Sequence, residues 1–296
     1  MRFLHERFQD SRPVIADGAL GTQLFQMGVE LGACPESINL TRPDVLREIA
    51  RQYLEAGAEI LQTNTFGASP MKLALSGLDA QTAALNRAAV EAVREVADGR
   101  AYVSGSCGPS GHLLKPFGDA TPEELYDNFR VQIGALLEAG IDVICVETMT
   151  DLNEATQAVR AAKDLSPSTP VMATMTFDPS PRGFHTIMGV SIEKAVTGLK
   201  SAGADVLGSN CGNGIEKMIE IAREFRRLTD FPLLIQSNAG LPRMHDGRPE
   251  YPETPEFMAG RARELVALGV KIIGGCCGTT PSHIRALRVL ADSAGA

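Results

Sequence analysis

The feature that most constrains the fold of this chain is a regular alternation of short apolar runs with longer segments of helical character. Eight runs rich in β-branched residues are centred near Val14, Ile60, Val103, Val143, Met172, Val206, Leu234 and Ile272. Their continuous apolar character is typical of strands buried on both faces of a parallel sheet. The repetition therefore predicts eight consecutive βα units.

The segments between the runs carry the end signals of helices. Thr121 and Thr254 are each followed by proline and glutamate, which is the pattern of an N-cap, a first helical position and an acidic first turn. Thr280 begins a similar segment without the acids. Glycine can satisfy the last carbonyls of a helix in the left-handed conformation. Four segments reach such a glycine before the next run, at Gly57, Gly140, Gly203 and Gly269.

Eight such units in 296 residues predict an α/β fold, a (β/α)₈ TIM-type barrel, as a single domain over residues 1–296. An open doubly wound sheet is the alternative, although no G-x-G-x-x-G follows the first run. Three stretches have no regular pattern, near Gly118, Arg182 and His245. The stretch near His245 is predicted to be a lid or a partner-docking loop.

Charge and composition exclude several kinds of partner. The formal net charge is −8, so the basic footprint of a nucleic-acid-binding protein is missing. The first residues are charged throughout and do not form a signal peptide. No apolar run approaches the ~20 residues that span a bilayer. We therefore expect a cytoplasmic protein, in which six cysteines are available for metal binding or catalysis rather than a disulfide framework.

Three cysteines follow predicted strands at the same edge of the barrel. Cys211 ends the sixth run, and Cys276 and Cys277 end the eighth. The carboxyl ends of barrel strands share one rim, where active sites lie. Three thiolates can hold Zn²⁺ in tetrahedral geometry and leave the fourth position open, as in catalytic zinc sites. These residues are therefore the candidate metal ligands and the candidate catalytic centre.

The remaining three cysteines do not group with this cluster. A buried cysteine usually acts as a small hydrophobe, which is the interpretation for Cys145 inside the fourth run. Cys34 lies in an early loop, and Cys107 lies across the predicted barrel. A disulfide between the adjacent Cys276 and Cys277 would require a strained ring and is not expected. The histidines show no metal-binding spacing.

An open zinc position predicts sulfur chemistry. A substrate thiol bound there loses its proton, because the metal favours the thiolate, and a soft sulfur nucleophile suits displacement at an activated methyl carbon. Asp17 and Glu147 at the same rim have two interpretations: each could cap the following helix, or the pair could hold a substrate ammonium. Amides at the start of the helix after Asp17 could receive a carboxylate. A thiol-bearing amino acid would use all of these groups.

Seven motifs between Ala16 and Ile284 carry a family resemblance. In order they are DGALGTQL, TNTFGAS, GSCGPSG, VETMTDLNEA, GSNCGNG, NAGLP and GGCCGTTPSHI. Together they resemble the homocysteine S-methyltransferase family, in particular the homocysteine-binding module of its cobalamin-dependent methionine synthase branch. The resemblance covers nearly the whole chain, and the pairing of SNCG with GGCCGT is its most specific part.

The resemblance implies a zinc-containing barrel with homocysteine as substrate. Cys211, Cys276 and Cys277 match the zinc ligands of the family. Asp17 and Glu147 match the acidic residues that hold the homocysteine amino group.

Four further positions match segments close to the substrate or the metal. Ala19, Thr22 and Ser106 match segments near the substrate carboxylate. Asn238 matches an asparagine near the metal, which would fill the fourth position when substrate is absent.

The resemblance implies methyl transfer to homocysteine, giving methionine, with a methylcorrinoid as donor. A betaine-binding aromatic cage is disfavoured, because the chain has no Trp and because Glu147 is followed by Thr148 rather than by a tyrosine. S-methylmethionine or another sulfonium is the alternative donor, and a non-catalytic zinc- or homocysteine-binding module of a larger complex is a third possibility. The sequence contains neither a folate-binding barrel nor a D-x-H-x-x-G cobalamin motif. A separate corrinoid protein is therefore the expected partner.

Overall fold

A computed structural model of the chain describes residues 2–29, 34–245 and 248–294, and strands from these ranges form its centre. The strands are β1 (Val14–Ile15), β2 (Ile60–Gln62), β3 (Tyr102–Cys107), β4 (Val143–Met149), β5 (Val171–Met175), β6 (Asp178–Ser180), β7 (Gly183–His185), β8 (Val206–Asn210), β9 (Leu233–Ser237), β10 (Arg243–His245), β11 (Arg248–Glu250) and β12 (Ile272–Gly275). Eight of them pair in parallel in the order β1-β12-β9-β8-β5-β4-β3-β2.

The sheet closes on itself between β1 and β2. Ala16 forms a parallel bridge with Ile60, and the Asp17 amide donates to the Ile60 carbonyl at 3.0 Å. The Glu59 amide donates to the Ile15 carbonyl at 2.7 Å. These bonds confirm the predicted eight-stranded barrel. The single-domain assignment over residues 1–296 stays a prediction, and its terminal residues 1 and 295–296 lie outside the described ranges.

Helices surround the barrel in the positions that the alternation predicts. The α-helices are α1 (Leu4–Arg7), α2 (Leu20–Gln26), α3 (Ile38–Thr41), α4 (Pro43–Glu55), α5 (Pro70–Ala74), α6 (Thr82–Ala97), α7 (Pro122–Glu138), α8 (Leu152–Leu165), α9 (Ile192–Ala202), α10 (Ile215–Leu228), α11 (Pro255–Ala267) and α12 (Pro281–Ala294). Short 3₁₀ turns occur at Pro35–Ser37 and Asp79–Gln81. None of the described helices has both the length and the apolar character that crossing a bilayer requires.

The predicted helix ends are confirmed. Thr121 accepts from the Glu124 amide and forms a capping box with it at the start of α7. Thr254 accepts from the Phe257 amide at the start of α11. Gly203 ends α9 with a φ of +103°, a conformation that only glycine adopts without strain.

The inside of the barrel is filled with apolar side chains at its amino end. Leu4 and Phe8, from α1 and the residue that follows it, close this layer from below. Cys145 and Met172 belong to the same buried cluster. Cys145 is therefore a packing residue, as predicted. Polar side chains are left at the opposite, carboxyl end of the strands, where the loops leave the barrel.

Two of the three stretches predicted to be irregular form two-stranded antiparallel ribbons. β6 pairs with β7 around Arg182, and β10 pairs with β11 in the His245 stretch. The prediction was wrong there because each strand has only three residues, which is too short for an alternating pattern to mark it. Residues 246–247, at the centre of the proposed lid, lie outside the described part of the chain.

The barrel seam is held at its amino end by one carboxylate. Glu59 is bound by three guanidinium groups, those of Arg7 at 2.7 Å, Arg12 at 3.0 Å and Arg288 at 2.8 Å. Its side chain is only 16% exposed. It also accepts from the Ile15 amide at 3.3 Å. This cluster joins the first and last helices to the strands that close the barrel.

We expect Glu59→Gln to lower the free energy of unfolding by roughly 2 to 3 kcal/mol, because it removes the carboxylate that three partly buried guanidinium groups share. The measurement is urea unfolding at neutral pH. The matched control is Glu95→Gln, which breaks an ion pair with Arg47 at the surface. The side chain of Glu95 is 64% exposed and that of Arg47 is 34% exposed. The control should change stability by less than about 1 kcal/mol. Equal effects of the two variants would contradict the role assigned to Glu59.

Candidate metal centre and substrate cavity

Three thiols from two strand ends meet at the carboxyl rim of the barrel. Cys211 directly follows β8, and Cys276 and Cys277 directly follow β12. The Sγ atoms of Cys211 and Cys277 are 3.8 Å apart, and all three Sγ atoms lie within 4.8 Å of one another. In the ranges that the structure describes, no other trio of His, Cys, Asp or Glu is close enough to share a metal ion.

Backbone bonds to β9, which lies between β8 and β12, bring the thiols together. The Cys211 amide donates to the Gln236 carbonyl at 3.1 Å, and the Cys276 amide donates to the Ser237 carbonyl at 2.7 Å. Cys211 has a φ of +61° and Gly212 a φ of +75°, so the chain turns back sharply after β8. A left-handed conformation costs a non-glycine residue roughly 1 to 2 kcal/mol, and here the surrounding backbone bonds hold it in place.

The donor set of this cluster fits a zinc ion. Three sulfurs bound tetrahedrally at about 2.3 Å lie about 3.8 Å from one another, which is the Cys211–Cys277 separation. The Oδ1 atom of Asn238 is buried without a hydrogen-bond partner, and its side chain also bonds to Cys211. Such an orphaned oxygen beside three thiols fits a site built around a cation.

The thiols cannot all ionise by themselves. The hydrogen bond from Cys276 lowers the pKa of Cys211 most, and the hydrogen bond from Cys277 lowers it further. The bond to Cys211 is also the main cause that raises the pKa of Cys276 and of Cys277. The protein alone therefore favours one thiolate and two thiols. A divalent cation would compensate the charge of all three thiolates, because metal binding displaces the thiol protons.

A cavity of about 280 Å³ opens beside the thiols. Its size suits a small molecule. Its walls come from the start of α2, the residues after β2, the end of β4 and the thiol cluster, and Phe66 is the aromatic side chain among them. Lining side chains that matter for chemistry are Thr22, Glu36, Ser106, Glu147, Cys211, Cys276 and Cys277.

Asp17 is a buried carboxylate with one oxygen unused. Its Oδ2 accepts from the Gln62 amide at 2.7 Å, whereas its Oδ1 is buried without a hydrogen-bond partner. Burial raises the pKa of Asp17 to about 8, and the negative charge of Glu147 adds to this rise. A cationic group beside Oδ1 would supply the missing partner and stabilise the ionised form.

Glu147 is a second buried carboxylate, and it lines the cavity directly. Its Oε1 accepts from the Ser106 hydroxyl at 2.5 Å and its Oε2 from the Asn210 amide group at 3.1 Å. Burial raises the pKa of Glu147 to about 7. The two bonds fix the orientation of the carboxylate toward the cavity.

Neither acid caps the helix that follows it. The N-cap position of α2 is Ala19, which has no capping side chain, and α8 is capped by Asp151. The alternative interpretation of Asp17 and Glu147 as helix caps is therefore wrong. The buried carboxylates have no structural role of that kind.

Asn210 is a site residue to which sequence reasoning assigned no role. Its Oδ1 accepts from the Thr148 amide at 2.8 Å and the Thr174 hydroxyl at 2.7 Å, and its Nδ2 donates to Glu147. Thr148 has a φ of +60°, so these bonds also hold a strained backbone. The available signal was its position, since a polar residue at the end of a buried strand must find partners inside the protein.

The other predicted substrate residues lie on the same rim. Ala19, Thr22 and Ser106 line the cavity. The Ala19 amide donates to the Thr279 hydroxyl at 3.0 Å, and the Thr22 hydroxyl accepts from the Gly278 amide at 3.1 Å. Asp17 and Asn238 do not line the cavity, although the charge of Glu147 acts on Asp17 and the side chain of Asn238 bonds to Cys211. Some polar atoms of the predicted substrate residues already bond to the protein.

The barrel and its polar cavity at the carboxyl rim define the class of this protein as a barrel enzyme that works at its loop face. Residues 14–291 match the sequence model of the homocysteine S-methyltransferase family. The chain belongs to this family.

Relatives and solved structures agree with this assignment. The methionine synthases of Mycobacterium tuberculosis and Mycobacterium leprae are 35% and 33% identical in alignments 291 residues long, and the alignments cover 93% of this chain and 24% of each relative. The chain thus spans about a quarter of the length of these relatives. The metallated form of the homocysteine methyltransferase MmuM from Escherichia coli superposes with a TM-score of 0.79 at 26% identity, covering 94% of this chain and 96% of that one.

Asp17 should make the stability of the protein depend on pH. Its pKa is about 8 in the folded protein instead of 3.8, so the folded state binds the extra proton between these values. The contribution of Asp17 to the free energy of unfolding therefore falls as pH rises from about 4 to 8. We expect Asp17→Asn to become more stable relative to the wild type across this range. Urea unfolding of both proteins at pH 5 and pH 8, in the presence of a chelator, measures the difference; equal pH slopes would refute the prediction.

Proposed function

We propose that this chain transfers a methyl group to the thiolate of homocysteine and forms methionine, with Zn²⁺ held by Cys211, Cys276 and Cys277. The observation that carries the proposal is one cavity with two kinds of wall. Three thiols within 4.8 Å of one another line one side, and the buried carboxylate of Glu147 lines another. A molecule with a thiol at one end and an ammonium at the other complements both walls.

The thiol end of the substrate would lie at the cysteine cluster. Zn²⁺ held there would favour the deprotonated form of the substrate thiol at neutral pH. Cys211, Cys276 and Cys277 together contribute three negative charges, so the site keeps a net negative charge around the bound cation. The uncompensated charge leaves electron density on the substrate sulfur for attack on a methyl carbon. Asn238, with its unpartnered Oδ1, would occupy the position of the substrate sulfur when the cavity is empty.

The amino-acid end of the substrate would lie between the acids and the start of α2. Asp17 and Glu147 would receive the ammonium group, which supplies a partner for the Asp17 Oδ1 and places one positive charge beside two buried carboxylates. Ser106 orients Glu147 through its hydroxyl. Ala19 has no side chain to cap α2, so the amides that follow it toward Thr22 are available for the substrate carboxylate.

The proposed methyl donor is a methylcorrinoid carried by another protein or domain. The donor would supply a methyl carbon for attack by the substrate sulfur, and the electron pair of the broken carbon–cobalt bond would stay on the corrinoid. The resemblance of the sequence motifs to the cobalamin-dependent branch of the family and the relatives named methionine synthase support this donor. A separate corrinoid protein is the partner proposed for this chain.

A sulfonium such as S-methylmethionine is the second candidate donor. Phe66 lines the cavity and is 38% exposed, and Glu36 and Glu147 line it as well. An aromatic face together with carboxylates attracts a sulfonium cation. The observation that favours this donor is therefore the composition of the cavity wall.

The metal assignment predicts the behaviour of two alanine variants. The wild type should bind about one zinc per chain, and Cys211→Ala should lose most of it and lower homocysteine methylation more than about 100-fold, since even outer-shell partners are worth 10- to 100-fold. Zinc is measured by elemental analysis after gel filtration. The control Cys145→Ala removes a buried thiol of β4 and should keep its zinc. A Cys211→Ala protein with full zinc, or an active wild type free of metal, would refute the assignment.

The donor is tested by supplying homocysteine with either free methylcobalamin or S-methylmethionine. We expect methionine and the cob(I)alamin spectrum with methylcobalamin and much slower turnover with S-methylmethionine. Phe66→Leu is the matched variant, because loss of the ring should weaken only a cationic donor. Turnover with S-methylmethionine alone, reduced in Phe66→Leu, would select the sulfonium donor. A zinc-loaded protein that uses neither donor would favour the non-catalytic module.

A further inference from the structure

The side chain of Thr279 lies between the loops after β1 and β12, and both of these loops line the cavity. Thr279 follows the thiol-bearing segment after β12 and is fully buried. Its hydroxyl donates to the Cys276 carbonyl at 2.8 Å and accepts from the Ala19 amide at 3.0 Å. One oxygen atom therefore joins the backbone of a thiol-bearing residue to the backbone two residues after Asp17.

Two glycines make room for this bridge. A Cβ on Gly18 would lie 2.6 Å from the Thr279 hydroxyl, and a Cβ on Gly275 would lie 2.2 Å from it. Neither distance is possible for a real side chain, so alanine at either position would displace the hydroxyl. Gly18 and Gly275 therefore have a packing role, because each leaves the space that the Thr279 hydroxyl occupies.

Tyr53 supports the same bridge from the outside of the barrel. Its hydroxyl lies 2.8 Å from the Ala19 carbonyl and 3.3 Å from the Thr279 carbonyl. Tyr53 is buried and belongs to α4. The loops after β1 and β12 are thus joined by bonds through two hydroxyl groups rather than by side-chain packing alone.

We infer that Thr279 is a positioning residue that sets the separation between the sulfur-binding and amino-acid-binding ends of the cavity, and so selects thiols that carry an amino-acid group at the homocysteine spacing. The inference rests on the proposed function. A ligand held at both ends gains from the second contact only if the protein holds the two subsites at the matching distance. Thr279 touches neither the thiols nor the cavity, so it acts through Cys276 and Ala19.

The test compares Thr279→Val, which keeps the shape but loses both bonds, with Thr279→Ser, which keeps the hydroxyl. We expect Thr279→Val to raise the KM for homocysteine about tenfold, because the two subsites lose the bonds that hold them at the matching distance. Its kcat at saturation and its zinc content should stay near the wild-type values. The inhibition constant of 2-mercaptoethanol, which offers only a thiol, should not change. Thr279→Ser should restore the homocysteine KM to within about twofold.

Two further variants separate positioning from general destabilisation. Thr82→Val removes another buried hydroxyl, which bonds to the Asp79 carbonyl at 2.7 Å away from the rim, and should leave the KM unchanged. Tyr53→Phe removes the hydroxyl that bonds to the Ala19 carbonyl, and it should raise the homocysteine KM by a smaller factor than Thr279→Val. This variant provides the test if Thr279→Val does not fold.

The inference is overturned by an unchanged homocysteine KM in a folded Thr279→Val protein, by an equal weakening of 2-mercaptoethanol, or by loss of zinc. If Thr279→Val does not fold, an unchanged KM in Tyr53→Phe overturns it. A wild type that neither binds zinc nor methylates homocysteine would instead refute the proposed function.

Discussion

The parallel register across β8, β9 and β12 is the constraint on which the candidate site depends. β9 accepts the Cys211 amide at Gln236 from one side and the Cys276 amide at Ser237 from the other. A slip of one residue in either pairing would turn the affected strand's side chains to the opposite face and separate the thiols. Closure of the barrel between β1 and β2 then brings Asp17 to the same rim. The chemistry of the cavity is therefore a consequence of strand pairing.

The rim concentrates features that are unfavourable for folding. Asp17 and Glu147 are buried carboxylates whose pKa values are raised by that burial. Cys211 and Thr148 are non-glycine residues with positive φ. A cation or an ammonium group would compensate the buried carboxylates. The strained backbone is held by bonds to Asn210 and the neighbouring strands. This distribution fits a site prepared for charged ligands rather than one optimised for stability.

Stability and chemistry occupy opposite ends of the barrel. At the amino end, Leu4 and Phe8 close the apolar interior, and Glu59 joins Arg7 and Arg288 across the seam. At the carboxyl end, the cavity walls come from the loops after β1, β2, β8 and β12 and from the ends of β3, β4 and β9. Two other loops at this end contain the antiparallel ribbons. The separation lets the loops vary in sequence without weakening the closure of the barrel.

The sequence alone determined the alternating architecture and the identity of the candidate ligands. Apolar runs, helix caps and glycine stops are local signals, and the two cysteine motifs fall at strand ends that a barrel must bring to one rim. Tertiary structure alone decided the ribbons near Arg182 and His245, the bonding of Asn210 to Glu147, and the bridge that Thr279 makes between two loops. The reason is physical: each of these depends on backbone pairing in short segments or on contacts between residues far apart in the chain, and no local pattern records such contacts.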